Sequence, residues 1–204
     1  YVPVARDLYN VWDYDQNYSH GFLIPFFAFY LVWLGRDALA VLRPKPWNAG
    51  LVVIAAAVFM RLIGALVETV GAGTGGVFAN GVSFILALAG FSLTFLGKEY
   101  FKKLVFPLAY LGFMVPLPGG LFAMITLPLQ NYATAVTTAV LKIWGIPVLR
   151  EGNLITLPGL TLGVVEACSG IRSLFTLLAL SAIFALVFMV RHRPWQRILL
   201  FVSA

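Results

Sequence analysis

Apolar runs long enough to cross a membrane recur along this chain, each closed by a short polar or basic loop. That alternation constrains the fold more than any other feature. A run of about 20 apolar residues crosses roughly 30 Å of hydrocarbon as a helix, because only then is every backbone N–H and C=O paired within the segment. Such spans are predicted at 20–34 (extending toward 42), 50–70, 77–96 and 104–117, with a further helix entering the membrane over 171–190. Hydrophobic residues make up 61% of the chain and charged residues 11%, against about a quarter charged in soluble domains. The expected fold class is therefore an all-α membrane protein, a polytopic transmembrane helix bundle. Residues 1–204 read as a single domain. The chain opens at Tyr1 without a Met or a signal pattern and stops at Ala204 in what reads as the start of another span. Hydrophobic segments before and after these ends are expected.

The basic residues report topology rather than nucleic-acid binding. Arg36, Arg43 and Lys45, then Lys98, Lys102 and Lys103, then Arg191, Arg193 and Arg197 hold nine of the 14 Lys and Arg, and their loops contain only Asp37 and Glu99 of the eight acids. Positive loops stay cytoplasmic, so all three should share one side. Four alternating spans then leave residue 119 outside, and the helix from about 171 must run inward to deliver Arg191. Residues 121–144 must return to the side they left, as an interfacial or re-entrant helix. Thr126, Gln130, Thr134 and Thr137 give that stretch one polar face. The net charge of +6 is thus spread over loops. No Gly-rich phosphate loop is present, since 71–76 lacks the Lys and Ser/Thr of one.

The chain's single cysteine lies where two kinds of sequence meet. Residues 153–165 are rich in Thr, Val, Leu and Gly around a Pro158-Gly159 break, which predicts short strands and a tight turn. Residues 171–190 predict a helix. Cys168 falls just before that helix, where the helix dipole favours thiolate over thiol. Arg172, one turn on, adds positive charge, whereas Glu166 raises a thiol pKa. One cysteine excludes an internal disulfide, and with two histidines it does not make a zinc cage. No cofactor or metal is expected. A lone cysteine in an apolar chain is also a common packing residue, so nucleophile and small buried hydrophobe both stand at this point.

Residues 166–174, EACSGIRSL, resemble the active-site motif of the exosortase and archaeosortase family of integral-membrane transpeptidases. Residues 17–23 (NYSHGFL), 128–130 (PLQ), 145–148 (GIPV) and 150–153 (REGN) resemble the same family in order and spacing, so the likeness runs from about residue 12 to the end. The resemblance implies that Cys168 is the catalytic nucleophile, with Arg172, Glu166, Ser169 and Gly170 supporting it or binding substrate. It also implies an arginine and a histidine on later helices, which would lie past Ala204. The implied substrates are exported proteins with a C-terminal tail of recognition motif, transmembrane helix and basic end, of the PEP-CTERM kind in bacteria. The implied acceptor is lipid- or exopolysaccharide-linked, and the location is the inner membrane with the active site on the outer face.

Two histidines remain. His20 falls at the outer end of the first predicted span, where it can reach the site or bind substrate, or else cap a helix or bond a neighbouring loop. His192, between Arg191 and Arg193, falls on the opposite side, separated by about 30 Å of hydrocarbon. Arg61 lies mid-span with Glu68 seven residues on along the same face. An ionisable pair there either packs against other helices or lines a path. Two other classes therefore compete with the transpeptidase. One is a non-catalytic scaffold or transporter component, and the other is a lipid-linked glycan enzyme that needs no thiol.

Overall fold

The computed structural model describes residues 1–71, 73–163 and 170–187. Cys168, Glu166 and Ser169 lie outside the described residues, as do His192 and the Arg191, Arg193 and Arg197 cluster. The chain divides into two compact units, one of Tyr1–Pro118 with Phe175–Ala204 and one of Gly119–Leu174.

In the first unit, α1 (Val2–Tyr14) leads through a 3-10 turn (Gln16–Phe22) into α2 (Ile24–Leu34) and the short α3 (Arg36–Ala40). The sequence predicted an extramembrane segment before residue 20 but no helix. One forms because Val4, Leu8 and Trp12 repeat every fourth residue, and Val4 and Leu8 enter the core. The first predicted span is correspondingly shorter. The helix at 24–34 has 11 residues, about 17 Å at 1.5 Å per residue, and Gly35 breaks it from α3.

α4 (Ala49–Thr69) and α5 (Thr74–Phe91) form the long hairpin predicted from the apolar runs. A wide turn over Ser92–Leu96 prolongs α5, closed by Gly97 N–H donating to Ser92 O at 3.0 Å. Among the described residues, only Ala49–Thr69 and Thr74–Leu96 are long and apolar enough to cross a membrane unaided. Their pairing is written in a heptad of small residues. Gly50, Ala57 and Gly64 are buried on α4, and Gly76, Ser83 and Gly90 on α5. Small residues seven apart let two helices approach along one seam without a supercoil mismatch. The fit is close, since a Cβ on Gly90 would lie 2.9 Å from Ile54 N. On the other side of α4, Val52, Phe59 and Leu66, also seven apart, are 71%, 65% and 66% exposed. That apolar face suits lipid.

α6 (Lys98–Tyr110) and a 3-10 turn (Leu111–Met114) follow. The core of this unit gathers Val4, Leu8, Ile24, Tyr110, Met114 and Ile183. Tyr110 Oη–H donates to Ala179 O of α8 (Ile171–Val187) at 3.3 Å.

The second unit joins α7 (Gly119–Ile143) to a meander of β1 (Leu149–Glu151), β2 (Leu154–Leu157) and β3 (Leu160–Gly163), all antiparallel. The strands and the Pro158-Gly159 turn match the sequence reading, with Gly152 and Gly159 at φ 62° and 84° in the two turns. α7 runs through Pro128 unbroken. Its buried polar face is Thr126, Gln130, Thr134 and Thr138, so the predicted Thr137 is replaced by its neighbour. These hydroxyls satisfy themselves locally. Thr134 Oγ1 donates to Gln130 O and Thr138 Oγ1 to Thr134 O, each at 2.7 Å.

Candidate functional site

In sequence, the meander is followed by the residues of the motif around Cys168. Arg150 fixes the meander to α7. Its Nε–H donates to Gly152 O and its Nη2–H to Asn131 O, both at 3.0 Å. One planar fork thus closes the β1–β2 turn and ties it to the helix. The REGN segment therefore has a structural use, with Arg150 as its clamp. From β3 the chain passes through residues 164–169 to Gly170, whose φ of 68° suits glycine. α8 starts at the next residue, and Leu174 N–H donates to Gly170 O at 3.0 Å. Arg172 stands exposed in the first turn of α8. Gly170 to Leu174 are thus the described members of the motif, and they form a helix start, as the sequence predicts.

His20 belongs to a separate recess in the first unit. Asp15 caps the turn that carries it, its carboxylate accepting from Asn17 N–H at 2.9 Å. Three side chains from this region hold one backbone strip. Trp12 Nε1–H donates to Met114 O at 2.9 Å. His20 Nε2 meets Phe113 O at 3.2 Å, which fixes the Nε2–H tautomer if the imidazole is neutral. Leu117 N–H donates to Tyr18 Oη at 3.1 Å. Gly21 follows His20 because a Cβ there would meet the Trp12 ring at 2.4 Å. The NYSHGF residues are thereby accounted for as a grip on residues 113–117.

His20 is 9% exposed, and its Nδ1 is buried without a hydrogen-bond partner among the described residues. Burial lowers its pKa, opposed by the carbonyls of Phe113 and Asn17, so the ring is neutral near pH 7. Beside it lies a recess of about 210 Å³, lined by Tyr18, His20, Phe113, Val115 and Phe175 among others. Phe175 comes from α8, one turn after Arg172. His20 therefore does bond a neighbouring loop, one of the two uses its sequence position allowed.

Asn80 was not singled out in the sequence. Its side chain is fully buried in α5, where its Oδ1 accepts from Arg61 Nη1–H at 2.7 Å and its Nδ2–H donates to Glu68. Arg61 and Glu68 are joined through this amide. An Asn within a spanning helix was itself the available signal, because such an amide needs partners. Among the described residues no group of His, Cys, Asp or Glu is arranged to hold a metal ion.

The family comparison covers nearly the whole chain. The model described as transmembrane exosortase (Exosortase_EpsH) matches residues 12–204. The chain belongs to the transmembrane exosortase family. The match takes in EACSGIRSL, NYSHGFL, PLQ, GIPV and REGN together. No curated protein and no solved structure matches. With the exosortase assignment, the two helices long and apolar enough to cross a membrane and the small three-stranded sheet are consistent with an all-α membrane protein.

Proposed function

We propose that this exosortase is a cysteine transpeptidase that removes the C-terminal sorting tail of exported proteins and passes them to a lipid- or glycan-linked acceptor. The observation that carries this reading is the family match over residues 12–204, which contains the motif around Cys168. In the first step the Cys168 thiolate attacks a peptide carbonyl, the S–C bond forms, the C–N bond breaks, and the leaving amine takes a proton. In the second step an acceptor amine or hydroxyl attacks the thioester, gives up its proton and regenerates the thiol. Arg172 orients Cys168 or anchors a substrate carboxylate, with Glu166, Ser169 and Gly170 supporting it or binding substrate. The active site faces the outer side of the plasma membrane, where exported proteins arrive. The orientation follows from the basic loops.

The transporter-like alternative relied on Arg61 and Glu68 lining a path. Asn80 engages both side chains, which gives the pair a use in helix packing instead. The thiol-independent glycan enzyme predicts nothing special of Cys168. Cys168 is the one cysteine of residues 1–204, so labelling intact cells with a membrane-impermeant iodoacetamide, then recovering the protein and identifying the labelled peptide, reads Cys168. Labelling from outside whose rate reaches half-maximum below the ordinary thiol pKa of about 8.5 is expected. A thiol that stays unlabelled from outside but reacts once the membrane is opened contradicts the proposed orientation.

A further inference from the structure

Two loops meet at the end of the α4–α5 hairpin and are locked to each other by backbone. Gly97 takes φ 90° and pairs with Lys45 as an isolated parallel bridge. Lys45 N–H donates to Leu96 O at 3.2 Å, and Tyr100 Oη–H to Leu42 O at 2.9 Å. The approach is so close that a Cβ on Gly97 would lie 1.9 Å from Lys45 O. Glycine is required here on two counts, space and φ.

The locked loops enclose a recess of about 430 Å³, within the roughly 300–1,000 Å³ of small-ligand clefts. Arg43, Lys45 and Lys98 line it together with Trp47 and one acid, Glu99. That acid is already engaged. Lys102 Nζ donates to Glu99 Oε1 at 3.0 Å, and Lys102, Lys98 and Lys45 hold its carboxyl below the usual range. Lys98 Nζ stands 5.7 Å from the Trp47 ring centre. The recess is also where α6 begins, with no side chain capping its N-terminus. Lys98 thus stands in the first turn at the positive end of a helix dipole, where acids are favoured and cations are not, with Glu99 as the acid of that turn. An anion relieves both the clustered cations of the recess and the uncapped amides.

The place of the recess names the kind of anion. α4 starts at Ala49, just after Trp47, and the α5 span ends at Leu96. Both lining loops therefore sit at the ends of membrane-crossing helices, at headgroup depth, with Trp47 as an interface residue. We infer that the Arg43, Lys45 and Lys98 recess binds the phosphate headgroup of an anionic phospholipid and thereby pins this end of the α4–α5 hairpin.

Binding is measured on the purified full chain in detergent, titrated with phosphatidylglycerol, phosphatidylcholine or inorganic phosphate and read by native mass spectrometry and thermal unfolding. The variant Lys45→Gln/Lys98→Gln removes two recess cations while leaving the backbone bridge intact. Arg6→Gln/Lys142→Gln removes the same charge away from the recess. The expected result is that phosphatidylglycerol binds and raises the unfolding temperature in wild type and control. In the recess variant its affinity should fall roughly ten- to thirty-fold. Equal binding by recess variant and wild type overturns the site, and leaves these charges as topology signals alone. A full thermal shift from inorganic phosphate, with none added by the lipid, overturns the lipid as its source.

Discussion

Asn80 accepts a hydrogen bond from Arg61 at 2.7 Å while its amide donates to Glu68, so one buried side chain on α5 spans seven residues of α4. Both functions of the amide are used, which fixes its orientation. Asn80→Ala should cost about 1–2 kcal/mol, given the modest worth of interhelical hydrogen bonds in membranes. The check is unfolding of the purified protein in a graded denaturing detergent. Asn80→Asp should fall between the two, since it keeps the acceptor for Arg61 but sets a second carboxylate beside Glu68. Wild-type stability for the Ala variant would show that the bridge is idle.

Glycines in and beyond the α4–α5 hairpin predict sharply graded effects for one chemical change. Gly97→Ala places a Cβ against Lys45 O at an unfavourable φ. It should cost at least 2 kcal/mol, as overpacking and a strained left-handed residue together do. Gly64→Ala meets the Asn80 side chain and should be intermediate, while Gly112→Ala meets nothing within 4 Å and should be neutral. Folded protein recovered from membranes ranks the three, and any other order counts against the close-packed hairpin.

The hairpin and the meander were legible because each is written in local sequence. Apolar length gives α4 and α5, and the Pro158-Gly159 break gives the β2–β3 turn. α1 was hidden by its charged residues, though Val4, Leu8 and Trp12 keep the helical period. The partners of His20 and Asn80 were not legible at all. His20 meets Phe113, 93 residues away, and Asn80 meets Arg61 across a helix pair. Such pairings depend on how elements pack, which periodicity does not encode. The site reading rests on the motif around Cys168, and residues 164–169, Cys168 among them, lie outside the described residues.

His20 should make stability depend on pH. Its folded pKa is lowered by burial, so the unfolded chain takes up a proton first, near pH 6.5. The stability held by the neutral ring is fully present above about pH 6.5 and is lost as pH falls through the lowered folded value. His20→Gln retains a donor for Phe113 O but does not titrate. Between pH 7.5 and 5.5 the wild type should lose more stability than this variant; parallel losses would remove His20 as the cause.

Arg172 separates charge from shape. A guanidinium that orients the thiol or grips a carboxylate uses its planar fork, so Arg172→Lys should lose tail processing nearly as fully as Arg172→Ala. Near-normal processing by the Lys variant would mean that a positive charge alone suffices in the first turn of α8.

The central claim is that Cys168 forms a thioester with its substrate. Cys168→Ala removes the nucleophile and little else, and Cys168→Ser keeps the size while substituting a hydroxyl that ionises far less readily. The measurement is cleavage of a substrate's C-terminal tail in cells carrying the full-length protein, scored beside the protein's abundance in the membrane. The account predicts that both variants reach the membrane at wild-type levels and leave the tail uncut. Normal cleavage by the Ala variant would contradict it.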